Sequence, residues 1–184
     1  MCIRDSFTDC VVGGSALSVT GNTTSEEGAG IAVRTDAVMA ISGSDISENH
    51  ASKNGGGLYV KDGYVTVSST TFDTNDSDKK GGGVYIDEHE GSFYSLTFTD
   101  NVGKEGAAMF VNDCTVTIDD TTFTDNASSH DDGGAITVDS DGGVEVTGSS
   151  FSGNTGDDVY LKSDDDTYSY GTSEDFTCDD EECW

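Results

Sequence analysis

The sequence has no proline, 8 lysines and arginines in 184 residues, and an apolar fraction of 33%. It also lacks any apolar run approaching the roughly 18 residues that a membrane-crossing helix needs, which excludes such a helix from this stretch. The cations face 36 aspartates and glutamates, for a formal charge of −28, and that excludes a nucleic-acid partner held by a basic surface. The same balance favours solubility, divalent cations or cationic partners. It suits extracellular or salt-rich surroundings, because salt shortens the reach of like-charge repulsion. Few apolar residues and no proline, beside 24 glycines and abundant Thr, Ser and Asp, disfavour a helical bundle. They fit many short strands separated by tight turns.

The first six residues, Met1 to Ser6, resemble a translation of the transposase mosaic-end adapter used in tagmentation libraries and are set aside from fold reasoning. On that reading the true N-terminus is missing and the lack of a signal peptide says nothing about secretion. Arg34 is then the only arginine and four cysteines remain.

What the chain does have is a repeat. From residue 55 to 138 a glycine-led apolar strand recurs: Gly55 to Val60, Gly81 to Ile86, Gly106 to Val111 and Gly133 to Val138. In step with it come the corners Phe72-Asp73-Thr74-Asn75, Phe98-Thr99-Asp100-Asn101 and Phe123-Thr124-Asp125-Asn126. Ile46-Ser47-Glu48-Asn49 precedes them and Phe151-Ser152-Gly153-Asn154 follows. The asparagines Asn49, Asn75, Asn101, Asn126 and Asn154 lie 26, 26, 25 and 28 residues apart, a solenoid period. Ten, eight and three residues before each asparagine stand further apolar slots, such as Val65, Val67 and Phe72, or Val116, Ile118 and Phe123; the Asn101 coil has Gly91 in the first. Alternation marks half-buried strands, with Thr66, Ser92, Thr117 and Glu145 outward. About five inward side chains at roughly 1.5 to 3 kcal/mol each cannot offset the ordering of about 26 residues. Stability must come from parallel stacking of coils. Asparagine suits the corner because its amide tolerates a left-handed backbone and bonds to turn backbone or to the matching amide one coil away. The sequons at Asn22, Asn75 and Asn126 are expected to point inward and escape glycosylation.

The glycine-led strand and the F-x-x-N corner together resemble the repeats of polymorphic outer-membrane proteins over about residues 28–161. The resemblance implies a right-handed parallel β-helix similar to the pectin-lyase-like solenoids, acting at cell surfaces in adhesion. The expected architecture is all-β: a right-handed parallel β-helix of about six coils of about 26 residues over 7–162. The acidic segment 163–184 is expected to be a tail or the start of a truncated module, with Cys178 and Cys183 as candidates for a local disulfide. The N-terminal coil has two registers; the preferred one aligns Cys10 with Cys114, Val12 with Val116, Val19 with Phe123 and Asn22 with Asn126.

Stacking turns equivalent residues into ladders. Tyr59, Tyr85 and Phe110, with Tyr160 further on, are expected as an outward aromatic stripe able to stack on sugar rings or a partner protein, or simply on each other. Asp62, Glu88 and Asp113 form an acidic ladder that would take calcium together with turn carbonyls; Lys61 and Asp87 stand beside it. No catalytic set accompanies them. Asp131-Asp132 echoes a hydrolase pair without partner motifs, and His50, His89 and His130 share no metal spacing. The expected function is a non-enzymatic cell-surface or secreted solenoid, adhesive or passive, without a cofactor unless calcium binds, whose partner would be a glycan or surface protein. The competing reading is a polysaccharide-active lyase or glycoside hydrolase.

Overall fold

The computed structural model describes residues 5–8 and 10–171, and every regular element among them is a β-strand. The strands stack in parallel into four sheets, each assembled by taking one strand per coil. Sheet 1 contains Asp5–Thr8, Ile31–Arg34, Leu58–Lys61, Val84–Asp87, Met109–Asn112, Ile136–Asp139 and Val159–Leu161. Sheet 2 contains Val11–Ser15, Val38–Ser42, Tyr64–Ser68, Gly91–Tyr94, Thr115–Asp119, Gly143–Thr147 and Thr167–Gly171. Sheet 3 holds the three-residue strands before each corner, from Ser18–Thr20 to Ser150–Ser152, and sheet 4 the short strands after it, from Thr23–Thr24 to Ala127–Asp132. This is a parallel β-solenoid of about six turns. No helix among the described residues is long and apolar enough to cross a membrane.

Register follows the apolar slots. Val12, Met39, Val65, Gly91, Val116 and Val144 are successive partners in sheet 2, and Val19, Ile46, Phe72, Phe98, Phe123 and Phe151 in sheet 3. The preferred N-terminal register, with Val12 and Val19 in the apolar slots, is therefore the one adopted. The phenylalanine rings of the last four corners stack at centroid distances of 4.8 to 5.0 Å with interplanar angles of 4 to 6°. Such stacking adds about 0.5 to 1.5 kcal/mol per pair to burial. The degenerate slot at Gly91 is filled by its neighbours, since a Cβ there would lie 2.7 Å from Ile86 Cδ1 and 2.8 Å from the Phe93 ring.

The corner asparagines form a continuous buried ladder. Oδ1 of Asn101 accepts from both the backbone N–H and Nδ2 of Asn75, at 3.0 and 3.1 Å. Nδ2 of Asn101 in turn donates to the Phe72 carbonyl at 2.9 Å and to Asn126 Oδ1 at 2.9 Å. The same pattern runs from Asn22 through Asn49 and Asn75 to Asn154. Asn49, Asn75, Asn101 and Asn126 have no exposed surface. The structure corrects one reason for their presence: the left-handed residue is the one before, Glu48, Thr74, Asp100 and Asp125, with Gly21 and Gly153 in that place at the two ends. The asparagine is there for its amide.

Two boundaries also shift. Thr167–Gly171 pairs with Gly143–Thr147, so the array continues past Lys162, where the tail was expected to start. The cause is chain geometry: Asp166 closes the bend by accepting from Gly142 and Ser163 N–H groups at 3.0 and 2.9 Å, which lays the next strand against sheet 2. At the other end Asp5 and Ser6, set aside as part of the first six residues, pair with Ile31 and Ala32. Residues 172–184, with Cys178 and Cys183, lie outside the described residues. Cys10 and Cys114 are both free thiols.

Removing one rung leaves the buried N–H of Asn75 without its acceptor and takes one donor from the Phe72 carbonyl. Asn101→Ala is expected to cost about 3 kcal/mol, read as a lower urea midpoint at unchanged m-value; a loss below about 0.5 kcal/mol would mean that the ladder is ornamental.

Candidate functional site

The predicted aromatic stripe lies on the outward side of sheet 1, where Tyr59, Tyr85 and Phe110 are register partners. They do stack, at 5.2 Å and 4° for Tyr59 with Tyr85 and 5.7 Å and 9° for Tyr85 with Phe110. They are not available to a sugar, because they are 5%, 7% and 0% exposed. The expectation of an accessible platform is thus overturned, and the cause is what packs against them. The glycine lead of each coil turns in close against the base of the spine residue: Gly55 has φ +69°, and a Cβ there would lie 2.8 Å from Tyr59 Cβ. Only a residue without a side chain can pass so close in that conformation. Phe110 is followed in the column by Thr137, so Tyr160 stands apart from the stack.

Cations complete the cover. The Arg34 guanidinium lies 4.4 Å from the Tyr59 ring centroid and pairs with Glu27 at 3.2 Å. Lys80 Nζ lies 4.2 Å from the Phe110 centroid, within cation–π range. It pairs with Asp139 at 3.3 Å and Glu105 at 3.7 Å, while Lys162 reaches Glu105 at 2.8 Å and Asp139 at 3.5 Å. Two cations and two carboxylates therefore alternate above one ring. Burial pushes the Asp139 carboxyl up, but the charges of Lys162 and Lys80 outweigh it and hold the group below its usual range. Burial likewise pulls Lys162 down, and its bonds and charge attraction to Glu105 and Asp139 together outweigh that and leave it raised. Burial also raises the Tyr59 and Tyr85 phenols, so both stay neutral. The sequence reading missed this cover, although the spacing of Lys80 from Glu105, one period, signalled part of it.

The acidic ladder is partly assembled. Asp62, Glu88 and Asp113 all adopt left-handed backbone at equivalent turns. Asp62 and Glu88 share a hydrogen bond that raises the Asp62 carboxyl and lowers that of Glu88. Lys61 occupies the position expected for a cation, bonding Asp87 at 2.8 Å and Glu88 at 2.6 Å, and Asn112 donates to Asp87 at 2.7 Å. Among the described residues no three His, Cys, Asp or Glu side chains converge as a metal would need. His50 pairs with Asp76 across coils at 2.7 Å, and His89 packs its ring 4.6 Å from that of Tyr64. The side chains of Asp131 and Asp132 lie outside the described residues.

One face is left uncovered. The outward side of sheet 2 exposes Val11, Val38, Tyr64 and Tyr94, large apolar groups that the sequence reading did not single out. A shallow depression of about 330 Å³ crosses its first three strands over Gly13, Ala40 and Thr66.

The family described as a right-handed β-helix region matches residues 10–174, and the chain belongs to it. The parallel coils accordingly wind with a right hand. No curated protein and no solved structure matches the chain.

Two predictions follow from the charges. A carboxyl whose folded pKa lies below its unfolded value adds stability above the unfolded value and loses it as pH falls through the folded one. The melting-temperature gap between wild type and Asp139→Asn is therefore expected to hold from neutrality to about pH 4 and to close below it; a gap that persists in stronger acid would sever it from this ionisation. Because Lys61 already stands between the carboxylates, sodium and calcium chloride at matched ionic strength are expected to raise the melting midpoint alike by screening. An additional rise with calcium too dilute to change ionic strength would instead mark a calcium site on the Asp62–Glu88–Asp113 ladder.

Proposed function

We propose that this member of the right-handed β-helix family is a non-enzymatic cell-surface or secreted solenoid whose task is adhesion to a glycan or a surface protein. The observation that carries the reading is where the reactive side chains go. The aromatic spine is roofed by its own cations, and the carboxylates beside it are bound to Lys61, Lys80 and Lys162, which makes them fasteners between coils. A hydrolase needs a carboxyl free to exchange a proton with substrate, and a uronate lyase needs a strong base facing the sugar. Arg34, the cation best suited to that second role, lies over Tyr59 and pairs with Glu27. The likeness of the glycine-led and F-x-x-N signatures to polymorphic outer-membrane repeats supports a surface setting. So does the charge of −28, which keeps a rod soluble in salt.

The test pairs two measurements on the folded chain. Incubation with pectate, xylan and β-glucan is expected to release no reducing ends, while labelled protein is expected to bind cells or arrayed glycans. Depolymerisation that disappears when Asp131 and Asp132 are changed to Ala would replace this reading with the enzymatic one. Absence of all binding by a folded chain would remove adhesion.

A further inference from the structure

The first three strands of sheet 2 present an open apolar and hydroxylated surface. In its first three strands the outward positions stack in register into three columns, none of them charged, in a chain with a formal charge of −28. The first column is apolar and open to solvent: Val11 is 83% exposed, Val38 41% and Tyr64 48%. The third is hydroxyl, formed by Ser15, Ser42 and Ser68. Between them Gly13, Ala40 and Thr66 floor the depression. The neutral zone ends at the fourth strand, where Glu90 precedes Gly91 and His89 packs on Tyr64.

Gly13 is the second, independent observation. The glycines leading sheet 1 are required by close packing, as at Gly55. At Gly13 nothing lies within 4 Å of a built Cβ, and its φ is outside the left-handed region. Packing among the described residues does not call for a glycine there, and a strand interior loses about 0.5 to 1 kcal/mol by having one. Close approach of another molecule to the backbone is one of the settings in which a strand glycine occurs, beside bulges and tight bends.

We propose that this groove binds a neutral, linear glycan lying along the solenoid axis. The inference rests on the adhesive reading and names its ligand class and location. Sugar rings have apolar faces and hydroxylated edges, and the groove offers an apolar column ending in an aromatic ring on one side and a serine column on the other. The serines recur at the strand spacing of about 4.8 Å, comparable with one ring of an extended chain. Glycans carrying uronate or sulfate are disfavoured because the field of the whole protein repels them. The position is separate from the roofed spine of sheet 1.

The experiment measures retention on immobilised β-1,4-glucan, β-1,4-mannan and polygalacturonate for wild type, Gly13→Val and Tyr64→Ala, with melting curves for all three. Gly13→Val fills open space with a strand-favouring side chain, so it is expected to keep or raise the melting midpoint. Retention on at least one neutral polymer is expected, weakened about tenfold or more in each variant and little changed by sodium chloride. Retention of folded wild type on polygalacturonate alone, on neither neutral polymer, or equally in both variants overturns the proposal. Concentration-dependent dimerisation that Gly13→Val abolishes, without glycan retention, would assign the groove to a second copy and equally overturn it. Cleavage of a retained polymer that persists in Gly13→Val would defeat the non-enzymatic reading while leaving the groove in place.

Discussion

The structure depends on a requirement that no coil meets for itself. In a parallel stack the backbone bonds of each strand go to strands about 26 residues away in sequence, so a single coil has ordered its chain without pairing it. Leu58 N–H, for example, donates to Gly83 O at 2.8 Å, and Asp76 N–H to Asn49 O at 2.8 Å. The side chains that interrupt this pairing at the bends restore it in kind. Ser44, Thr70, Thr121 and Ser149 each donate to the carbonyl two residues before, and each also accepts a backbone N–H from the preceding coil. Where Leu96 takes that position it offers apolar burial and no acceptor, a local exchange of hydrogen bonding for core.

The same stacking decides which side chains are tolerable. Superposed phenylalanines attract, and superposed amides satisfy one another. Superposed carboxylates repel by roughly 0.9 kcal/mol at strand spacing in water. The scarce cations are placed accordingly: Lys61, Lys80 and Lys162 each touch two carboxylates, and Arg34 and Lys80 also lie over rings. A chain so acidic puts its few positive charges where stacking has created the greatest need.

The coil register, the inward slots and the asparagine rungs were legible in the sequence because each is a property of equivalent positions, and period alone exposes equivalence. What the period could not show was cover. Whether Tyr59 is open depends on Gly55 packing against its Cβ and on Arg34 reaching across a coil to its ring, and neither follows from alternation within the strand. The left-handed corner was assigned one residue late, although Gly21 and Gly153 before their asparagines carried the clue. The open face of sheet 2 was missed because Val11, Val38 and Tyr64 read individually as ordinary apolar residues; only their shared register makes them a column. The strand at Thr167–Gly171 was hidden by its aspartate-rich approach, in which Asp166 serves as a bend acceptor and not as part of a solvated tail.

The asparagine ladder also has a direction. Each coil gives its donors to the next and receives with its carbonyl oxygen from the one before, so the amide dipoles add head to tail along the rod. The last described rung, Asn154, has no further asparagine to donate to, and Asp158 receives its Nδ2 at 3.0 Å instead. A carboxylate thus terminates the donor end of the ladder much as an acidic cap terminates a helix. Genetic shortening or lengthening of the rod is consequently quantised: whole coils can be excised or duplicated with the ladder intact, whereas a fragment of a coil would carry the next asparagine out of the column and leave an amide donor and an acceptor unpaired.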